Sequence, residues 1–447
     1  MSDFTSPFLQ KIDLVDKENL ALIYEDLSFT YEELIRLVKE KISLLKDIDK
    51  RYILGVRGDF DIDSISFLLA CVELKRIVVP FIKDDEIKDK IKEAGIYALY
   101  EDKELKFYEE NANFKHDFIN ELIKKDEAGL ILFSSGSTGK AKAIVHSLDK
   151  LLSPFLDKKA KKMNILLFLM FDHIGGLNTL FNCLSLGACG VAIKDRKNVE
   201  LLAACIQKYK IALLPASPSL LNLFLLSNLK QRYDLSSLKL ITYGTEKMPE
   251  SLLERLKKEF PKVRFHQTFG TSEVGINQTK SYENYIKLEN VEYKIINNEL
   301  FLKSKTQSLG YINADNSVFD DDGYFATGDL VELKEINGEQ YLKIIGRSKE
   351  LINVGGEKLL PQELEAVLLE LDFVKDCLVY GKSNALTGQM VCAKIVLKDE
   401  EKRDMFELKK EIKSFLKAKK IAAFKIPAKI DFVDELKISS RFKKVRK

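Results

Sequence analysis

Apolar residues along the chain follow two alternating patterns, short continuous runs and helical repeats. Runs such as Ile77–Phe81 and Leu130–Phe133 are typical of strands that are buried on both faces. Between them, Thr30 and Glu33 have the spacing of a capping box, and apolar residues then recur at helical spacing from Leu34 to Leu45. Because helices alternate with short strands, the pattern predicts α/β layers with a mainly parallel sheet.

The same patterns continue to the C-terminus. Helices are predicted at Ser64–Leu74, at Glu250–Phe260 and from Pro361 onward, and strands at Ile165–Phe171, Ile211–Pro215, Leu238–Tyr243 and Val263–Thr268. The strand at Ile165–Phe171 is predicted to run into Asp172 and His173.

Length and charge restrict the possible functions. A chain of 447 residues is too long for one ordinary core, so two or more domains are expected. Lys and Arg number 71 against 68 Asp and Glu, and this near balance gives no sign of a nucleic-acid partner. The longest apolar runs fall far short of the roughly 20 residues of a membrane span.

Cysteine usage indicates a reducing compartment. No two cysteines form a C-x-x-C pair, and most lie in apolar stretches, so all are expected to be buried free thiols. They are Cys71, Cys183, Cys189, Cys205, Cys377 and Cys392. The N-terminal residues lack a basic segment followed by an apolar one, and we therefore expect a cytoplasmic protein.

A loop of small residues follows the strand Leu130–Phe133. It consists of Ser134, Ser135, Gly136, Ser137, Thr138 and Gly139. Glycines let backbone N–H groups approach a phosphate, hydroxyls add donors, and Lys140 and Lys142 add positive charge. The loop therefore indicates a nucleoside triphosphate site, with a flexible turn as the alternative. It is not a Walker A loop, because Ser134 replaces the first glycine and Ala141 follows Lys140.

The order of this loop resembles the phosphate loop of the adenylate-forming superfamily, which includes acyl- and aryl-CoA synthetases, luciferase and peptide-synthetase adenylation domains. Other stretches resemble further motifs of that superfamily in the expected order. They are Tyr243–Pro249, Phe269–Glu273, Asp322–Asp329, Ile345–Lys358 and Leu436–Arg446. The resemblance covers nearly the whole chain. It implies a large multi-layer α/β domain over residues 1–346 and a small mobile α+β lid domain over residues 347–447.

The resemblance also implies roles for individual residues in binding the nucleotide. Glu273 would hold the Mg²⁺ of Mg·ATP, Asp329 would accept hydrogen bonds from the ribose hydroxyls, and Lys443 would be the catalytic lysine of adenylation. Phe269 would stack on the adenine. The implied ATP- and AMP-binding set is Ser134, Ser135, Gly136, Ser137, Thr138, Gly139, Lys142, Phe269, Gly270, Ser272, Asp329 and Arg347.

Other residues would serve the acid and the thiol. His173 is implied to border the carboxylate pocket and to act there, although a lone histidine is as often structural. The remaining pocket candidates are Asp172, Gly176, Ala216, Thr245 and Val274. Lys349 would be the hinge between the domains, and Gly355 and Gly356 would line the thiol channel.

The function implied by the resemblance is a two-step ligation. A small carboxylic acid reacts with ATP to give an acyl-adenylate and pyrophosphate, and CoA then takes the acyl group. One alternative is an enzyme that loads an amino or hydroxy acid onto a carrier protein in trans, for which Asp172 would hold the substrate ammonium. A second is a non-catalytic adenylate-binding relative, suggested by Ala141, Ala143 and Phe442, which depart from the family pattern. The residues do not name the acid.

Overall fold

The fold is taken from a computed structural model that describes residues 2–83, 86–134, 140–244, 246–398, 401 and 403–437. The helices are α1 Pro7–Asp13, α2 Tyr31–Leu45, α3 Ile62–Glu73, α4 Lys88–Glu93, α5 Asp117–Lys124, α6 Leu148–Leu152, α7 Ile174–Ser185, α8 Val199–Tyr209, α9 Pro218–Leu226, α10 Glu250–Glu259, α11 Pro361–Leu368 and α12 Met405–Ala418. The strands are β1 Leu20–Tyr24, β2 Leu27–Thr30, β3 Ile53–Gly58, β4 Ile77–Ile82, β5 Ile96–Glu101, β6 Glu104–Phe107, β7 Gly129–Ser134, β8 Lys142–Ser147, β9 Asn164–Leu166, β10 Cys189–Ala192, β11 Leu213–Ala216, β12 Leu240–Tyr243, β13 Arg264–Gln267, β14 Phe269–Thr271, β15 Gly275–Tyr282, β16 Tyr285–Glu289, β17 Glu292–Ile296, β18 Glu299–Lys303, β19 Gly310–Tyr311, β20 Phe325–Ile336, β21 Glu339–Arg347, β22 Ile352–Val354, β23 Glu357–Leu359, β24 Val374–Asn384, β25 Gly388–Leu397 and β26 Lys429–Phe432.

Two largely parallel sheets form the centre of the N-terminal domain. Sheet I has the order β13-β12-β11-β9-β10-β1-β2, and every neighbouring pair except β1–β2 is parallel. Sheet II has the order β19-β8-β7-β4-β3-β5-β6, with β7, β4, β3 and β5 parallel and both edges antiparallel. The parallel arrangement predicted from the alternation of helices and strands is confirmed for these two sheets.

The helices cover both faces of each parallel sheet. Leu22 of β1 and Leu54 of β3 belong to one core in which α1, α2, α3 and α7 lie between sheets I and II. The next residue along β1, Ile23, faces α8, α9 and α10, and the residue before Leu54, Ile53, faces α4 and α5. Side chains alternate across each strand, so both faces of both sheets are buried. The result is the multi-layer α/β domain expected from the sequence.

A third sheet was not expected. Sheet III has the order β14-β15-β16-β21-β20-β18-β17, and all of its neighbouring pairs are antiparallel. Tight turns join several of these strands, and Asn297, Asn298, Asn337 and Gly338 have positive φ there. Asn and Gly tolerate this conformation, which two-residue hairpin turns require. The prediction of a mainly parallel sheet was therefore incomplete, because it did not include this antiparallel sheet.

Most of the predicted elements agree with the structure. At the start of α2, the Thr30 side chain accepts from the Glu33 N–H at 3.2 Å and Glu33 accepts from the Thr30 N–H at 2.8 Å, so the capping box is confirmed. The long strand predicted up to Phe171 is wrong, since β9 ends at Leu166. Residues 167–173 form no strand and lead to α7, which begins at Ile174 and packs Gly176 against the Met170 carbonyl, where a Cβ would lie 2.1 Å from the oxygen.

The C-terminal residues form a separate small sheet. Sheet IV has the order β23-β22-β25-β24, with β26 beside β25. Helices α11 and α12 pack on it and contribute residues such as Leu364 and Ile412 to its core. Strand β21 of sheet III ends at Arg347 and a 3₁₀ turn at Ser348–Glu350 leads to β22. The domain boundary at 346/347 falls just before this turn and stays a prediction.

All six cysteines are free and buried, which confirms that prediction. Among the described residues, no helix combines the length and the apolar character that crossing a membrane would need.

Candidate active site

The predicted phosphate loop joins two paired strands of sheet II. Ser134 at the end of β7 pairs with Lys142 at the start of β8. The residues between them at 135–139, which include the predicted Ser135, Gly136, Ser137, Thr138 and Gly139, lie outside the described residues. Nζ of Lys142 lies 4.5 Å from the centroid of the Tyr311 ring, a cation–π geometry. The structure therefore fixes both ends of the loop and places the Lys142 ammonium over the Tyr311 ring.

Asn313 holds the chain where it leaves the phosphate loop. Its Oδ1 accepts from the Ala143 N–H at 2.8 Å, and its Nδ2 donates to the Ala141 carbonyl at 2.9 Å and to Glu93 at 2.6 Å. Lys140 also pairs with Glu93, at 2.8 Å. Asn313 and Glu93 were absent from the predicted site, because only the fold brings residues so distant in sequence to the loop.

Glu273, the predicted Mg²⁺ ligand, lies between sheets II and III. The Tyr311 hydroxyl donates to Glu273 Oε1 at 2.8 Å, and the Glu273 carbonyl accepts from the Ser308 N–H at 2.7 Å. Mg²⁺ that arrives with phosphates is held in proteins by one or two carboxylates, so a single fixed carboxylate suits that ion. The donor chemistry at Glu273 therefore fits Mg·ATP.

His146 contacts the backbone next to Glu273. It is fully buried at the end of β8, and its Nε2 lies 2.7 Å from the Ser272 carbonyl. Since a carbonyl only accepts, Nε2 carries the proton. Burial lowers the pKa of His146 to about 4, so the ring is neutral near pH 7. The backbone of the predicted Ser272 is thus tied to the strand that follows the phosphate loop.

Asp329 and Arg347 form an ion pair on neighbouring strands. Arg347 Nε lies 2.9 Å from Asp329 Oδ1, and Asp329 is buried whereas Arg347 is exposed. Local contacts explain why Thr327 and Gly328 precede Asp329. Thr327 Oγ1 donates to the Leu300 carbonyl at 2.7 Å and accepts from the Asp329 N–H at 3.0 Å, and Gly328 has a φ of +71°. These contacts hold the backbone at Asp329 in place.

A cavity of about 290 Å³ lies between the two domains beside this pair. Its N-terminal wall includes Phe269, Gly270 and Asp329, and its C-terminal wall includes Gln362 and Glu365 of α11. Four members of the predicted nucleotide set, namely Phe269, Gly270, Asp329 and Arg347, are therefore brought together at one cavity.

Lys247 also lines this cavity and was absent from the predicted site. Its Nζ lies 3.5 Å from the Ile345 carbonyl. Partial burial, followed by the nearby charge of Lys343, lowers the pKa of Lys247. Within the same segment, Gly244 approaches Thr268 closely, and a Cβ there would lie 2.8 Å from the Thr268 Oγ1. Thr245, a predicted pocket residue, lies outside the described residues.

The other predicted pocket residues lie in or just before α7, at the end of β11 and just before β15. Asp172 is buried in the turn before α7, and His173 caps the helix by accepting from the Gly175 N–H at 3.0 Å. Ala216 is the last residue of β11. Val274 is fully buried in the apolar core of sheet III. None of these four residues lines the interdomain cavity, so any role in binding the acid stays a prediction.

The predicted hinge and thiol-channel residues lie in adjacent turns. Lys349 is exposed in the 3₁₀ turn Ser348–Glu350. Gly355 and Gly356 form the exposed tip of the β22–β23 hairpin with φ of +61° and +95°, and a Cβ on either would meet nothing within 4 Å. The turn conformation alone accounts for both glycines. Lys443 and Phe442 lie outside the described residues.

Comparisons with known proteins agree with this architecture. A family model described as "AMP-binding enzyme" matches residues 52–307, and one described as "AMP-binding enzyme C-terminal domain" matches residues 363–443. Acyl-CoA synthetase 7 of Caenorhabditis elegans is 30% identical over 70% of this chain and 63% of its own length. Probable 4-coumarate–CoA ligase 2 of Dictyostelium discoideum is 29% identical over 77% of this chain and 72% of its own length. The chain therefore spans less than two thirds of the first of these relatives.

Solved structures resemble the fold over nearly the whole chain. An anthranilate CoA ligase in complex with anthranoyl-AMP has a TM-score of 0.81 at 19% identity and covers 99% of this chain and 96% of its own. An o-succinylbenzoate CoA synthetase from Bacillus subtilis has a TM-score of 0.76 at 23% identity and covers 99% and 97%. With two consecutive family matches and this fold, the chain belongs to the AMP-binding enzyme family.

Proposed function

We propose that the protein activates a carboxylic acid with ATP and transfers the acyl group to the thiol of CoA. The observation that carries the proposal is the buried carboxylate of Asp329, held beside Arg347 at a cavity between the two domains. The relatives named as an acyl-CoA synthetase and a 4-coumarate–CoA ligase support the choice of CoA as the acceptor.

The cavity suits the nucleoside part of the nucleotide. A carboxylate accepts hydrogen bonds from two hydroxyls at once, which matches the two hydroxyls of a ribose. Phe269 offers a partly exposed aromatic ring on the same wall, against which a base would stack. Arg347 would then lie between the ribose and the phosphates.

The triphosphate would extend toward the phosphate loop. Lys142 supplies positive charge at the end of that loop, and Glu273 supplies the carboxylate for Mg²⁺, which neutralises phosphate charge when it is bound. Lys443 is the proposed group that balances the charge developing at the α-phosphate.

The proposed reaction has two balanced steps. A carboxylate oxygen of the acid attacks the α-phosphorus, and the bond to pyrophosphate breaks. The CoA sulfur then attacks the acyl carbon, AMP leaves, and the thiol proton passes to solvent. The protein contributes by positioning the reactants and by electrostatics, so it needs no nucleophile of its own. The burial of all six cysteines agrees with this mechanism.

The first experiment is acid-dependent ATP–pyrophosphate exchange over fatty, aryl and amino acids without any thiol. Exchange with one class is expected, and adding CoA should then give AMP and a thioester. Amino-acid exchange without a CoA product would instead support loading of a carrier protein. Absence of exchange over the whole panel, with ATP still bound, would support the non-catalytic alternative.

The proposed role of Lys443 has its own test. The variant Lys443→Ala should lose exchange while ATP binding persists. Lys419→Ala is the matched control, because Lys419 is an exposed lysine of the same domain that pairs with Glu370. Unchanged exchange in Lys443→Ala would contradict the role. The adjacent lysine of the same motif, Lys444, would then be replaced by alanine and examined in the same assay.

A further inference from the structure

Tyr311 contacts two residues that the proposed function assigns to the triphosphate. Its hydroxyl donates to Glu273 Oε1 at 2.8 Å, and its ring lies under the Lys142 ammonium, 4.5 Å from Nζ to the centroid. The tyrosine itself is only 3% exposed. One buried side chain therefore connects the predicted metal carboxylate with the cation of the phosphate loop.

The backbone of Tyr311 is fixed independently of these contacts. Strand β19 pairs with β8, so that Tyr311 lies opposite Ile144, two residues after Lys142. The Asn316 side chain accepts from the Tyr311 N–H at 2.7 Å and donates to the Tyr311 carbonyl at 3.1 Å. Because the strand is held on both sides, the ring and hydroxyl have little freedom to follow a moving partner.

The chemistry of tyrosine suits both contacts. A hydroxyl that donates to a carboxylate makes a charge-assisted hydrogen bond, and the ring face attracts an ammonium group. Phenylalanine at position 311 would retain the ring contact with Lys142 and lose the hydrogen bond to Glu273.

We propose that Tyr311 is a positioning residue that orients Glu273 toward Mg²⁺ and Lys142 toward the phosphates. This inference rests on the proposed function, since it requires Mg·ATP as the ligand. Residues that hydrogen-bond to metal ligands fix their orientation, and their loss commonly costs about ten- to hundredfold in metal affinity.

The test is the Mg²⁺ dependence of ATP binding by Tyr311→Phe, measured by displacement of a fluorescent nucleotide without any acid. The Mg²⁺ concentration at half-maximal binding should rise about tenfold or more, while ATP binding without Mg²⁺ stays as in the wild type. Tyr97→Phe is the matched control, because it removes a tyrosine–glutamate bond of 3.1 Å outside the site. An unchanged Mg²⁺ midpoint in Tyr311→Phe would overturn the proposal.

A double-mutant cycle separates positioning from a general structural effect. In a Glu273→Gln background, Tyr311→Phe should have no further effect on the Mg²⁺ midpoint, and additive effects would contradict action through Glu273. Tyr311→Leu removes the ring as well and should also weaken ATP binding without Mg²⁺. If the wild type itself bound no ATP, the proposed function would fail, whereas a normal wild type with an unaffected Tyr311→Phe would refute only the role of Tyr311.

Discussion

Arg347 Nε donates to Asp329 Oδ1 at 2.9 Å, and the two residues are register partners across the β20–β21 pair. Asp329 is buried within β20, whereas the Arg347 side chain is exposed by more than half. The pair therefore presents a fixed acceptor beside an adaptable cation at the cavity between the domains.

Replacing Asp329 by Asn should weaken nucleotide binding without unfolding the protein. The amide oxygen accepts more weakly than a carboxylate and no longer carries the charge that Arg347 faces, so we expect ATP and AMP affinity to fall about ten- to hundredfold. Calorimetric titration with AMP measures this change. Asp49→Asn, which removes an exposed aspartate paired with Arg51, is the control. Unaltered AMP affinity would refute the role of Asp329.

Gly176→Ala should destabilise the N-terminal domain. The added Cβ would lie 2.1 Å from the Met170 carbonyl oxygen, so the backbone would have to move. Such overpacking commonly costs about 1–3 kcal/mol, visible as a lower midpoint of urea unfolding. Asn178→Ala in the same helix should leave the midpoint unchanged or slightly higher, because alanine favours helix. Equal midpoints for Gly176→Ala and the wild type would contradict the close packing.

His146 should make the protein less stable as the pH falls. Its pKa is about 4 in the folded chain and 6.5 as the ordinary value, so the unfolded chain binds the extra proton first. Its contribution is fully present above pH 6.5 and is lost progressively toward pH 4, by about 3 kcal/mol at that pH. Urea unfolding of wild type and His146→Gln across this range should give curves that converge at low pH. The difference in unfolding free energy between the wild type and His116→Gln, at a less buried histidine, should depend less on pH. Parallel curves for wild type and His146→Gln would argue against a buried neutral ring.

The six thiols should be unreactive in the folded protein. All are buried, and burial raises the pKa of Cys189 and Cys205 to about 12. We expect a colorimetric thiol reagent to react slowly in buffer and with all six thiols in strong denaturant, without early loss of ATP binding. Rapid modification of one thiol in buffer would identify a cysteine more accessible than the fold implies.

Local sequence signals predicted the parts of the fold that local physics controls. The capping box at Thr30 and Glu33 and the buried strand within β7 depend on neighbouring residues, and both are confirmed. Sheet III was missed although a signal was present. Strand β20 alternates between buried and less buried residues from Phe325 to Val331, and the Asn337–Gly338 pair is typical of a hairpin turn.

Only part of the candidate site was accessible from the sequence. Asp329 and Glu273 were predicted because they stand in recognisable motifs. Tyr311 was not, because its importance comes from the pairing of β19 with β8 and from the packing of sheet III against sheet II. Motifs identify residues that meet a ligand, but residues that hold those residues in place are found only once the strands are arranged in space.

Arg347 has a further consequence because of its place in the chain. It is the last residue of β21 and lines the cavity, and the turn Ser348–Glu350 that follows it leads directly into the C-terminal sheet. Rotation of the C-terminal domain about that turn would therefore move Arg347, which we propose as a contact of the nucleotide. By thermodynamic linkage, a nucleotide that favours one orientation of that domain is itself bound more tightly in that orientation, by the same factor. In the proposed function, the chemical state of the ligand and the orientation of the domain would thus be coupled through one stretch of backbone.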